Sequence, residues 1–145
     1  MTDLTRNEIL GKIKAGTDLS EADLFKVDLS NTDLSGAYLG YAQLNSANLG
    51  GADLRKAADL NGTDFAHANL RDANLSGADP THANLNYADL SGANLSGTNL
   101  TGAQLHDATL DDATQIDPKW RLVWEIATDG ASERDLRDAN LSGAH

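Results

Sequence analysis

The stretch "ADLSGANLSGTNLTGAQL", Ala88 to Leu105, returns a leucine every fifth residue, at Leu90, Leu95, Leu100 and Leu105. A helix repeats every 3.6 residues and a strand every 2, so five fits neither. Five helical residues advance about 500°, or 140° net, which would scatter the leucines around the cylinder. Extended pieces of about three residues are also too short for ordinary hairpins.

The register extends in both directions. It runs from Leu19 to Leu54, slips by one residue in "RKAADL", and continues from Leu60 to Leu110 with Phe65 and Pro80 in place of leucine. Gln115 closes it. Two places before each central residue stands a small one, mostly alanine, with Thr17, Thr32, Thr63, Thr98 and Val27 as the variants. Asp, Asn or another polar residue lies between. In an extended piece the small and central residues face one side and the polar residue the other. The two remaining positions, rich in Ser, Gly, Asn and Asp, read as a turn. A chain that extends, turns in one sense and repeats becomes a solenoid, with leucine stacked on leucine and backbone groups paired between coils.

Periodicity leaves the number of sides per coil open. The A(D/N)LXX pattern, as in "ANLSG" at Ala73–Gly77 and "ADLSG" at Ala88–Gly92, resembles that of the pentapeptide-repeat family over roughly residues 17–117. That resemblance implies an all-β solenoid, a right-handed quadrilateral β-helix with about twenty residues per coil. Four sides give about five coils, roughly 24 Å tall. Leu24, Leu44, Phe65, Leu85 and Leu105 then form one interior column, and Leu70 and Leu90 lie deep in another. The slip is expected to bulge outward between Arg55 and Ala58, and Pro80 to remove one ladder hydrogen bond.

A solenoid needs its ends covered. At the first end, residues 1–16, Thr5 and Glu8 form a capping-box pattern, Leu4 and Ile9 a hydrophobic staple, and Gly16 a stop, with Leu10 and Ile13 continuing the apolar side. At the other, Pro118 opens a helix over 118–130 in which Trp120, Val123, Trp124 and Ala127 recur at helical spacing. The repeat returns at Leu136 and Leu141, so residues 131–145 are expected to dock as a partial coil. With both ends covered, a monomer is expected. A helix followed by resumed repeats also resembles small cyanobacterial members of the family.

The chain carries a formal net charge of −11 and no cysteine. The charge argues against nucleic acid and anionic membrane as partners. Missing thiols exclude disulfides and thiolate metal sites. The N-terminus lacks the apolar run of a signal peptide and no stretch reaches membrane-spanning length, so a cytoplasmic protein is expected.

No nucleophile motif, phosphate loop, dinucleotide fingerprint or metal-ligand spacing occurs, so neither an enzyme nor a cofactor is expected. In the four-sided register His67, Tyr87 and Asp107 project outward in one vertical file, with His106 beside the last. Stacked convex coils imply no pocket for catalysis or metal, so the file reads as a candidate partner surface. Phe25, Tyr38 and Tyr41 face outward near the first coils and are candidate anchors, although the N-terminal helix could instead cover Phe25. The outward carboxylates Asp18, Asp23, Asp28 and Asp33 raise calcium, but their exchange with Asn at equivalent positions fits local turn hydrogen bonding better.

A non-catalytic structural or protein-interaction module is therefore expected, with an unidentified protein as partner. The alternative implied by the family is mimicry of duplex DNA toward a type II topoisomerase such as DNA gyrase. Lys26, Arg55, Lys56 and Arg71 interrupt the acidic faces and weigh against it.

Overall fold

The computed structural model describes residues 4–55 and 59–129. In chain order it contains α1 (Arg6–Lys14), β1 (Asn94–Leu95), β2 (Gln115–Ile116) and α2 (Pro118–Asp129). Between the helices the chain is a solenoid built from single-residue parallel bridges. Asp23 pairs with Gln43, Asp28 with Asn48, and Asp33 with Asp53, a twenty-residue offset. A turn every five residues within that offset makes each circuit four-sided.

Each turn has the same construction. The central residue's carbonyl accepts from the N–H three places on, as at Leu39 from Ala42 (3.0 Å) and Leu85 from Ala88 (3.1 Å). The third turn residue is left-handed, with φ of 57° at Tyr41 and 61° at Tyr87, the signature of a type II turn. The polar residue before each leucine locks the turn from outside. Asp28 Oδ1 accepts from Ser30 N–H at 3.0 Å and Asn74 Oδ1 from Ser76 N–H at 3.1 Å. Asp and Asn are interchangeable there because the turn asks only for an acceptor oxygen.

Circuits join through the backbone: Leu44 N–H donates to Asp64 O (2.8 Å) and Asp64 N–H to Ala42 O (3.0 Å). Leu24, Leu44, Phe65, Leu70, Leu85, Leu90 and Leu105 are all buried in one core with the alanines. Thr63 and Thr98, in place of alanine, are buried too, and their hydroxyls donate to carbonyls of the circuit below, Thr63 to Leu39 (2.9 Å) and Thr98 to Leu75 (3.0 Å); buried Thr32 donates within its own turn to Leu29, and Thr17 at the first circuit is exposed.

The offset lengthens to twenty-one from Tyr38–Asp59 to Asp53–Asn74 and returns to twenty at Asp64–Asn84. The extra residue therefore falls between Leu54 and Asp59; the bulge expected from Arg55 to Ala58 lies largely at residues 56–58, outside the described residues. Pro80 is buried in a leucine position, has no N–H for Asn99, and the bridges stop at Asp79 on that side.

The end of the register needs correction. Gln115 is not a central residue: β1 and β2 pair Asn94 with Gln115 and Leu95 with Ile116, so Ile116 takes the central place. A second extra residue has entered after Leu110. Asp111 absorbs it, its carboxylate accepting from Ala113 N–H (3.1 Å) and Thr114 N–H (3.0 Å), which moves Thr114 into the buried small-residue position.

Thr5 is the N-cap of α1, with the reciprocal Glu8 bonds of a capping box. Ile9 is fully buried in the core; Leu4, Leu10 and Ile13 pack against it partly buried. In α2, Trp120 is buried in that core, and Val123 and Trp124 are partly buried against it. The Ala127 side chain, the expected repeats at Leu136 and Leu141, and His145 lie outside what is described.

Side chains also stand in for the circuits that the ends lack. Arg6 donates from Nη1 to Asp28 O (2.9 Å) and from Nη2 to Ser30 O (2.8 Å), the two carbonyls that face a lower neighbour. At the far end Trp124 Nε1 donates to Ala108 O (2.7 Å) and Arg121 Nη2 to Thr114 O (2.8 Å). The Asp111 carboxylate accepts from Gly92 N–H at 2.9 Å, replacing a ladder carbonyl.

Candidate functional site

The outward positions of the turns decide what the solenoid displays. A left-handed third turn residue projects its side chain along the corner toward the next circuit. Where the next circuit has glycine there, the side chain lies on it. A methyl at Gly62 would overlap the Tyr41 ring, one at Gly102 the His82 ring, and one at Gly51 the Asn31 amide.

One corner has no such glycine. It carries Ser46, His67, Tyr87 and Asp107, all left-handed. With no flat backbone to lie on, the rings lie on each other. His67 and Tyr87 stack with centroids 4.8 Å apart and planes 5° from parallel. His106 meets Tyr87 edge-on at 5.8 Å and 81°, and its Nε2 is 3.1 Å from Asp107 Oδ2. Asn86 fixes the two circuits together, accepting from His106 N–H (2.9 Å) and donating to Gln104 Oε1 (2.9 Å). The structure thus brings together His67, Tyr87, His106 and Asp107, all exposed.

Phe25 lies lower on the same corner, where Lys26 N–H donates to Asn45 O as Tyr87 N–H does to His106 O, but it is outside the ring cluster; Tyr38 and Tyr41 lie elsewhere. Phe25, Tyr38 and Tyr41 are 49%, 48% and 61% exposed, and among the described residues ring contacts join only His67, Tyr87 and His106. Phe25 carries Lys26 Nζ 4.7 Å from its centroid and borders a shallow cleft of about 150 Å³ with Leu4, Asp23, Leu24 and Val27. Leu4 therefore flanks Phe25 without covering it.

Among the described residues no group of three or more His, Asp or Glu side chains converges as metal ligands would. The carboxylates serve turns and arginines. Ser30 N–H, aided by the Ser30 hydroxyl, Arg6 and Asn48, holds Asp28 below the ordinary carboxylate range. Gly92 N–H does the same for Asp111, with Thr114 and Ala113, against a smaller opposing effect of burial. Arg55 lies 2.7 Å from Asp53 and Arg71 3.1 Å from Asp89. Sequence reasoning missed the ring-on-glycine pairs, which are legible only when third turn residues are read one circuit apart, as Tyr41 with Gly62.

The family model for pentapeptide repeats matches in eight copies, over residues 15–40, 33–79 and 81–114. This chain is a pentapeptide-repeat protein. The family folds as right-handed quadrilateral β-helices, in agreement with the four-sided circuits. Among solved structures, a pentapeptide-repeat protein of Nostoc PCC 7120 is 33% identical, with 96% of this chain and 95% of that one covered and a TM-score of 0.35. HetL, a pentapeptide-repeat protein involved in heterocyst differentiation regulation from the cyanobacterium Nostoc sp. strain PCC 7120, is 37% identical over 64% of this chain, with a TM-score of 0.42. This chain spans only 46% of HetL's length. A plasmid-mediated fluoroquinolone resistance protein is 20% identical over 82% of this chain and 77% of its own, with a TM-score of 0.33. No curated protein matches.

Proposed function

We propose that this pentapeptide-repeat protein is a non-catalytic interaction module: a monomeric rod of about five circuits, closed by α1 and α2, acting in the cytoplasm. The partner is a protein that docks on the corner formed by His67, Tyr87, His106 and Asp107. The observation carrying this reading is the ring file itself, ordered by stacking yet exposed to solvent. Pre-ordered exposed aromatics lose little conformational freedom on binding and serve as anchors.

Mimicry of DNA is not favoured. Arg55 and Arg71 pair with Asp53 and Asp89 on the outer faces, breaking the continuous negative charge that a duplex presents.

The test is affinity capture from native lysate with wild type and a His67→Ala/Tyr87→Ala/Asp107→Ala variant, both checked for fold by circular dichroism. Recovery of one protein by wild type alone supports the reading. Equal recovery by both removes this corner from the interface, and recovery of a topoisomerase by both favours DNA mimicry.

A further inference from the structure

The turn that follows Leu60 holds the one Asn-Gly pair in the sequence, Asn61–Gly62. The peptide group joining them is clamped from both sides. Asn61 O accepts from Tyr41 N–H of the circuit below (2.8 Å), and Gly62 N–H donates to Thr81 O of the circuit above (2.9 Å). Asn45–Ser46 and Asn86–Tyr87 occupy the same turn position and are clamped in the same way. Ser46 N–H donates to Ala66 O (2.8 Å) and Tyr87 N–H to His106 O (2.9 Å), while Asn45 O and Asn86 O accept from Lys26 (3.2 Å) and His67 (3.0 Å) N–H groups. Ser46, Gly62 and Tyr87 share the left-handed conformation, with φ of 60°, 62° and 61°. Of the three, Gly62 alone has no Cβ, and a Cβ at that position hinders attack by its own backbone nitrogen on the side chain of the preceding Asn.

We propose that Asn61 is a deamidation site, closed while the circuits stay stacked and opened when they separate at Gly62. Gly62 N gives its proton to hydroxide and bonds to Asn61 Cγ. The Cγ–Nδ2 bond breaks, and ammonia leaves after taking a proton from water. Water then opens the cyclic imide, giving aspartate at position 61 by cleavage at Cγ, or isoaspartate by cleavage at the main-chain carbonyl carbon. The gate is geometric. In the imide, Cγ takes the place of the Gly62 N–H hydrogen, which points at Thr81 O. A C–N bond of about 1.4 Å along that line puts Cγ about 1.5 Å from the oxygen, less than half an ordinary contact. The ring therefore closes only after the bond to Thr81 has opened and the upper circuit has moved away. Isoaspartate lengthens the main chain by a methylene, so the turn no longer fits between Tyr41 N–H and Thr81 O, and the opening becomes permanent.

The unmutated chain tests the proposal. Folded protein, and protein unfolded in guanidinium chloride, are held in mildly alkaline buffer while peptide mapping by mass spectrometry follows deamidation at each Asn. Hydrogen exchange of the Gly62 amide is measured in the folded protein. In the unfolded chain Asn61 should react faster than Asn45 and Asn86. In the folded protein it should be slowed about a hundredfold or more, by the same factor as Gly62 exchange to within about threefold. Equal rates in the two states, or a slowing that departs from the exchange factor in either direction, overturn the gate. No preference for Asn61 in the unfolded chain overturns the site. Asn61→Gln, whose attack needs a six-membered ring, should remove the product from that peptide, and its persistence at the wild-type rate overturns the assignment as well.

Discussion

Replacing Gly62 by alanine separates backbone strain from side-chain stacking, because Gly77 offers the same strain without the stack. Both are left-handed, with φ of 62° and 66°. A Cβ at Gly77 meets nothing within 4 Å, whereas one at Gly62 falls on the Tyr41 ring. An L-residue in this conformation costs about 1–2 kcal/mol, offset by about 0.4–1 kcal/mol because alanine lowers the entropy of the unfolded chain. Gly77→Ala should therefore destabilise by about 0.5–1 kcal/mol. Gly62→Ala must also move the ring. Tyr41 is 61% exposed and can swing into solvent, so the added cost is a new rotamer and a lost contact, about 0.5–1.5 kcal/mol. Urea denaturation should show Gly62→Ala about 1 kcal/mol less stable than Gly77→Ala with an unchanged slope, and the excess should vanish in Tyr41→Ala/Gly62→Ala. Equal effects at the two glycines, or strict additivity in the double variant, would refute the ring-on-glycine account.

Leu70 is fully buried, so Leu70→Ala should cost about 2–5 kcal/mol in the same assay and Leu70→Asp should abolish the circular dichroism of the fold. Arg6→Ala leaves two carbonyls for water to satisfy and should cost about 1–2 kcal/mol in urea titration; Arg6→Lys should rescue only part, lacking the two-pronged donor. Asp111 is held below its ordinary pKa by hydrogen bonds, so its contribution is complete above about pH 4 and lost as pH falls through the folded value. Thermal melts of wild type and Asp111→Ala should therefore converge in acid and stay apart at neutral pH. Pro80→Leu restores a donor to Asn99 O and should raise stability by about 1 kcal/mol, unless the larger side chain overpacks the column, which a lower melting temperature would reveal.

The solenoid was legible because a five-residue period forces one architecture. Leucine, a small residue two places earlier and an acceptor between them each have one physical task. The corner file was legible for the same reason: residues one circuit apart must be neighbours, which puts His67 under Tyr87. What escaped was the second extra residue. "LDDATQI" offers Gln115 on strict count and Ile116 on hydrophobicity, and counting gave the wrong one. The deciding interaction, the Asp111 carboxylate gathering Gly92, Ala113 and Thr114 N–H groups, joins residues whose spacing belongs to no repeat.

That failure has a general cause. Inside the stack each backbone group is satisfied by its copy one circuit away, so the sequence need only repeat. At the ends no copy exists, and side chains must supply donors and acceptors at backbone spacing. Arg6 does so with one guanidinium spanning two carbonyls, Trp124 with an indole N–H, and Asp111 with a carboxylate in place of a carbonyl. Each substitution is chemically different, so none has a periodic signature, and the repeat falls silent where it must stop. A pentapeptide solenoid is therefore specified in its middle by pattern and at its ends by individual residues.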